Sequence, residues 1–206
     1  MAEVTALFFD IGGVLLTNGW DRTERTAAAE KFKLDWKEFE DRHELVLHAF
    51  EVGEMGLDEY LDRVIFYCPR SFSREKFADY IRARSKELPG TMDVLRRLAQ
   101  SKQYLISSLN NESREMNAYR IERFGLRRYF DVFLSSCYLG VRKPDEAIYQ
   151  RALDITQRKG EECVFIDDRA LNLECARELG MRTVQFKDAA QLERALRELK
   201  VAIAAA

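Results

Sequence analysis

The run Leu7-Phe8-Phe9 closes on an acid and two glycines, as Asp10-Ile11-Gly12-Gly13, and it restricts the fold more than any other stretch of the chain. Consecutive bulky residues without polar alternation form a strand buried on both faces, and such strands belong to parallel sheets covered by helices. Parallel pairing needs crossover connections, so the rest of the chain has to supply alternating helices and strands. Asp10 then stands at the carboxyl end of the strand, beside the crevice where open α/β sheets bind ligands. The glycines let the chain turn sharply and bring backbone N–H groups towards whatever the acid faces. An Asp so placed can be a nucleophile, a metal ligand or a cap on the next turn.

The required alternation begins only at Pro89-Gly90. From there strands are predicted at 104–108, 132–135, 163–166 and 183–186. Helices are predicted on Met92, Leu95 and Leu98, over 112–124, 145–155 and 171–179, and on Leu192, Ala195, Leu196 and Leu199. Between the first strand and this region, 17–88 shows helical spacing alone. Asp35 and Glu38 before Phe39 match a capping box opening a helix to about Phe50, and a break follows over 51–56. Asp58 starts another helix, ended by Pro69, and Ser73 opens one carrying Phe77, Tyr80 and Ile81. The expected architecture is α/β: a parallel-sheet core from 1–16 and 89–206, with a small all-helical cap of three or four helices at 17–88.

Composition removes several classes of partner. The net charge of −2 leaves no electrostatic footprint for nucleic acid or for a membrane surface, and no apolar stretch approaches the ~20 residues that span a bilayer. Cys68, Cys137, Cys163 and Cys175 are widely spaced without a CxxC pair, and no apolar leader opens the sequence, so a cytoplasmic location is expected. Nothing in the sequence sets an oligomeric state.

Three further polar clusters fall at the ends of predicted strands or just beyond: Asn110-Asn111, Lys143-Pro144, and Asp167-Asp168 with Asn172. In a parallel sheet all of them share the edge that carries Asp10. Separately these are a turn, a Lys-Pro turn and a helix cap; together they converge. Asp10, Asp167 and Asp168 offer hard oxygen donors suited to Mg²⁺, and a cation among them relieves their repulsion. Lys143, Asn110 and the amides of the Ile11-Gly12 turn suit an anionic substrate such as a phosphate.

With these residues in place, the chain resembles the haloacid dehalogenase superfamily over nearly its whole length. Phe9-Asp10-Ile11-Gly12-Gly13-Val14-Leu15 is similar to the first motif of that family, Leu109-Asn110-Asn111 to the second, Lys143-Pro144 to the third, and Ile166-Asp167-Asp168 with Asn172 to the fourth. The resemblance implies a Rossmann-like, doubly wound core and a Mg²⁺-dependent phosphohydrolase that acts on a small phosphomonoester through an aspartyl phosphate on Asp10. It further implies that Lys143 is catalytic, that Ile11, Gly12, Asn110, Asn111 and Lys143 hold the substrate, and that Asp10, the Gly12 carbonyl, Asp167 and Asp168 hold the metal.

Two positions depart from the family. Gly12 stands where its phosphatases usually carry a second Asp as general acid, a group commonly worth ~10²–10⁴-fold. Asn110 stands where Ser or Thr is usual. Gly12 keeps open two other functions, a reduced protein that binds phosphorylated ligands or a protein partner, and a 2-haloacid dehalogenase, whose leaving halide needs no proton. The dehalogenases do not keep the paired acids present here. His43 and His48, both in a predicted cap helix, are candidates for the missing acid or are plain helix residues; Trp20, Trp36 and Phe50 either line a pocket or pack the cap.

Overall fold

The computed structural model describes residues 2–204. Five strands, β1 (Ala6–Phe9), β2 (Leu105–Asn110), β3 (Val132–Ser135), β4 (Cys163–Asp167) and β5 (Arg182–Gln185), form one parallel sheet in the order β3-β2-β1-β4-β5. The first strand is therefore central. Leu7 and Phe9 pack on one face of the sheet, and Ala6 and Phe8 on the other, so an uninterrupted apolar run serves a strand covered on both sides.

One face is covered by α5 (Thr91–Ser101), through Val94, Leu95 and Leu98, and by α10 (Ala189–Glu198), through Leu192 and Leu196. The other is covered by α8 (Glu146–Thr156) and α9 (Ala170–Glu178). A helix α6 (Arg114–Arg123) follows β2, and a single turn, α7 (Ser136–Leu139), follows β3. The result is the Rossmann-like, doubly wound α/β fold.

Between β1 and α5 the chain forms α1 (Arg22–Phe32), α2 (Trp36–Glu51), α3 (Leu57–Val64) and α4 (Arg74–Arg82). Asp21, Asp35 and Ser73 cap three of these helices, each accepting a hydrogen bond from the amide three residues on. The four helices share an apolar core of their own, built around Phe39, Tyr60, Leu61, Phe77 and Ile81. Both connections to the sheet pass through one neck: Thr17 N donates to Lys86 O at 2.8 Å, Leu88 N donates to Leu15 O at 2.9 Å, and Leu16 bridges Glu87. Among the described residues the four cysteines are free, and no helix is long and apolar enough to cross a membrane.

Candidate active site

The site begins where β1 stops. Asp10 N still donates to Ile166 O at 2.9 Å, so the ladder with β4 extends one residue past the strand and fixes the carboxylate at the sheet edge. Asp10 Oδ1 accepts from Ile11 N at 2.7 Å, and Oδ2 lies 2.9 Å from Lys143 Nζ. The same ammonium lies 2.6 Å from Asp167 Oδ2. Lys143 is held from behind by Asn111, whose Oδ1 accepts from Lys143 N at 2.8 Å while its Nδ2 donates to Lys143 O at 2.9 Å.

Asp167, fully buried at the end of β4, is bonded through both oxygens. It accepts from Lys143, from Asn172 Nδ2 at 3.0 and 3.1 Å, and from Arg169 N at 2.8 Å. Asp168, next in the chain, is its opposite: Oδ1 is buried without any hydrogen-bond partner, an arrangement that costs free energy unless something pairs with it. Asp168 does not cap α9, since Arg169 occupies that position. Oxygens of Asp10, Asp167 and Asp168 lie within 4.8 Å of one another.

Two carboxylates thus share one buried ammonium, and the third has no salt-bridge partner. Burial, and then Asp167 and Asp168, push Asp10 up to about 7 against the opposing pull of Lys143. Burial and Asp167 likewise raise Asp168. Burial alone would lower the Lys143 ammonium, yet Asp10 and Asp167 together hold its pKa above the ordinary value. The clustered carboxylates outnumber the one ammonium paired with them, and the donors are all hard oxygens, so the residues fit a divalent cation such as Mg²⁺. Backbone space is reserved as well. Gly13 has φ +76°, and a Cβ there would lie 2.5 Å from Asp168 Oδ2, so a side chain at this turn would drive into the acid.

Asp10 and Lys143 open on a cavity of about 350 Å³ between the sheet edge and the helical insertion, while Asp168 faces a separate cleft beside Gly13. Asp10, Gly12, Asn111 and Lys143 line its floor; Trp20, Arg25, Glu40, His43, Phe50 and Glu51 come from the insertion. Not all of the predicted residues meet there. Asn110 is turned away: buried behind the floor, its Nδ2 donates to Asn117 Oδ1 at 3.1 Å and its Oδ1 accepts from Ser135 Oγ at 2.9 Å. Its expected place facing the substrate is corrected to a place in this polar network, because Asn117 and Ser135 complete its hydrogen bonds. The Ile11 amide, expected to face substrate, is bonded to Asp10 itself. His48 is exposed and Trp36 stands outside the cavity wall.

The surroundings of Gly12 carry what the sequence did not disclose. A Cβ on Gly12 would lie 3.2 Å from Asn18 Oδ1 and 3.5 Å from Arg120 Nη1. Arg120 is buried and fully engaged: Nη1 pairs with Glu112 Oε2 at 2.9 Å, Nε donates to Ser85 Oγ at 3.1 Å, and Nη2 donates to Asn18 O at 2.8 Å. On an α6 sequence as polar as Arg114–Arg123, nothing marks one arginine as buried, and the only signal was its proximity in the fold.

Comparison with known proteins settles the family. A profile of the haloacid dehalogenase-like hydrolases matches residues 4–180. The chain belongs to this family. Among curated relatives, this chain is similar to flavin mononucleotide hydrolase 1 of Arabidopsis thaliana, 32% identical over 165 residues, covering 79% of this chain and 65% of that protein. It is also 43% identical over 75 residues to bifunctional epoxide hydrolase 2 of Rattus norvegicus, covering 36% of this chain and 13% of that protein. The chain therefore spans less than two thirds of the length of either relative. Among solved structures, an enzyme of the same family from Bacteroides thetaiotaomicron superposes with a TM-score of 0.82 at 20% identity, covering 95% of this chain and all of that one. At that identity the likeness speaks for the fold.

Proposed function

We propose that this haloacid dehalogenase-like hydrolase is a Mg²⁺-dependent phosphohydrolase acting on a small phosphomonoester. The observation that carries the proposal is the buried triad of Asp10, Lys143 and Asp167 beside the unpartnered Asp168 oxygen, with Asp10 and Lys143 facing a partly open polar cavity. Support comes also from relatives. The Arabidopsis relative is named a flavin mononucleotide hydrolase, and a protein of Pyrococcus furiosus, 30% identical over 103 residues covering 50% of this chain and 42% of that protein, is named a glyceraldehyde 3-phosphate phosphatase. A Bacteroides thetaiotaomicron family member with TM-score 0.76 at 21% identity, covering 90% of this chain and 95% of that one, is in complex with magnesium and inorganic phosphate.

In this mechanism 1–16 and 89–206 act as the catalytic core and 17–88 as the cap that encloses the substrate. Asp10, one oxygen steadied by the Ile11 amide, attacks phosphorus in line and becomes the aspartyl phosphate. Lys143 leaves part of its pairing with Asp10 for the phosphoryl oxygens as the carboxylate loses its charge. Asp167 and Asn111 hold Lys143 at that point, so neither needs to touch substrate. Asp10, Asp168 and the Gly12 carbonyl, supported by Asp167, would hold Mg²⁺, which when bound would supply Lewis-acid neutralisation of the phosphoryl group. Water then hydrolyses the acyl phosphate. The paired acids also separate this reading from a dehalogenase, whose chemistry has no use for a cation.

The test is phosphate release from a panel of phosphomonoesters with Mg²⁺ and with EDTA. Wild type should release phosphate only with Mg²⁺, and Asp10→Asn should release none. Halide release from 2-chloropropionate, or activity undiminished by EDTA, would overturn the proposal.

A further inference from the structure

We propose that the Glu51 carboxyl, at the end of α2, protonates the leaving oxygen and afterwards activates the hydrolytic water, the task for which Gly12 has no side chain. The inference rests on the phosphohydrolase reading above and assigns it a missing group. Five carboxyls besides Asp10 line the cavity: Asp21, Glu40, Glu44, Glu51 and Glu112. Four are committed or exposed. Asp21 caps α1; Glu40 holds Arg25 with both oxygens at 3.0 Å; Glu112 pairs with Arg120 through Oε2 and accepts from Ser113 N through Oε1. Glu44 is 60% exposed. Glu51 alone is sheltered and incompletely bonded: Arg142 Nε lies 3.0 Å from its Oε2, but poorly directed, so that this oxygen has no hydrogen-bond partner.

His43 does not compete for the role. Burial, then Arg25 and Arg142, drive its pKa down to about 3, and a neutral imidazole is a poor acid. For Glu51, burial is the largest influence and raises its pKa to about 6, inside the range where a carboxyl can both give and take a proton. The charges facing Glu51 come from several elements: Arg142 and Lys143 before α8, Glu112 before α6, and Arg169 at the start of α9. Of these only Glu112 adds to the rise, while the cations oppose it.

Position is fixed from the core side. Ser136 Oγ donates to Glu51 O at 2.5 Å, which ties the end of α2 to α7. Arg142 and Lys143 are consecutive, and one reaches Glu51 while the other reaches Asp10. In the first step an Asp10 oxygen bonds to phosphorus, the P–O bond to the leaving group breaks, and its electron pair takes the Glu51 proton. In the second, the Glu51 carboxylate removes a proton from water as the water oxygen bonds to phosphorus, which releases phosphate and restores the Asp10 carboxylate.

The experiment is single-turnover phosphorylation of Asp10 by an alkyl phosphate and by p-nitrophenyl phosphate, from pH 5 to 8 at saturating Mg²⁺. Glu51→Gln should slow the alkyl ester ~10²-fold or more and the aryl ester far less, since a good leaving group needs little protonation. Glu51→Asp should recover part of the loss. Arg142→Gln, which removes the nearest cation, should move the limb near pH 6 to higher pH. A loss equal for both esters, or a limb unmoved by Arg142→Gln, would overturn the assignment of Glu51. Binding of beryllium fluoride with Mg²⁺, read as a rise in Tm, should persist in Glu51→Gln. Failure of wild type both to show that rise and to become phosphorylated would overturn the phosphohydrolase reading, and the role of Glu51 with it.

Discussion

A carboxylate introduced at position 12 would arrive beside Arg120. Gly12 is not among the residues with positive φ, so backbone strain does not forbid the change; the neighbours decide its effect. An Asp there would be held ionised by the guanidinium and would compete with Glu112 for it. Gly12→Asp is accordingly expected to fold, yet to leave the alkyl-to-aryl rate ratio within about threefold of wild type, below the gain a working acid provides. A tenfold rise in that ratio in the mutant would show that the new acid works. Asp168 invites the converse experiment. Asp168→Asn removes a charge that lacks a partner, so in EDTA the variant should melt at or above wild type, while its affinity for Mg²⁺ falls ~10-fold or more. Titration of Tm with Mg²⁺ checks both halves. The acids, the lysine and the glycines were legible at this scale because their types at strand ends restrict the chemistry. Asn110 was not: an amide at a strand end looks the same whether it meets a ligand or, as here, Asn117 and Ser135.

Helix ends explain which elements could be read. Asp35 and Ser73 sit at the boundaries the sequence marked for them, each bonded to an amide three residues on. Asp35→Ala should cost about 1 kcal/mol in urea unfolding. By contrast, α1 carries its buried face on Arg25, Ala28, Ala29 and Phe32, three of them too small or too polar to register as an apolar stripe. Arg25 is accommodated on that face because its charge is turned onto Glu40 and the Trp20 carbonyl. The break after α2 was visible, but not its purpose. Gly53 has φ +79°, and a Cβ there would lie 2.3 Å from Cys137 O. Gly53→Ala combines strain with a backbone clash, so a loss of about 1–3 kcal/mol is expected. Because the same junction positions the end of α2, KM should rise as well; an unchanged KM with reduced stability would confine the role of Gly53 to folding.

The whole molecule divides its polarity between a sheet edge rich in charge and a helical insertion with an apolar centre. In that centre Trp20 Nε1 donates to Tyr60 Oη at 2.9 Å, and His43 Nδ1 lies 2.8 Å from the same hydroxyl. Tyr60 Oη thus joins both side chains in one hydrogen-bonded group, while His43 Nε2 is buried and unpartnered. The unfolded chain binds a proton on this histidine near pH 6.5 and the folded chain only near 3, so stability is complete above pH 6.5 and falls as the pH drops. The loss should reach about 2 kcal/mol at pH 5 and should shrink in His43→Gln, measured by urea unfolding at pH 5 and 7. Sequence patterning disclosed the sheet and the existence of the insertion, since both follow from the period of apolar residues. It did not disclose the cavity, which is lined by charged side chains that look like solvent-exposed helix faces until the sheet edge and the helices of the insertion are brought together. The neck has a further consequence. The outgoing and returning chains lie side by side, hydrogen-bonded at Thr17 and Lys86, so the strand order of the sheet is indifferent to how much polypeptide is spliced between them. Such a junction behaves as a cassette boundary: the enclosed segment can be lengthened, shortened or exchanged without redirecting the two stretches of chain that flank it.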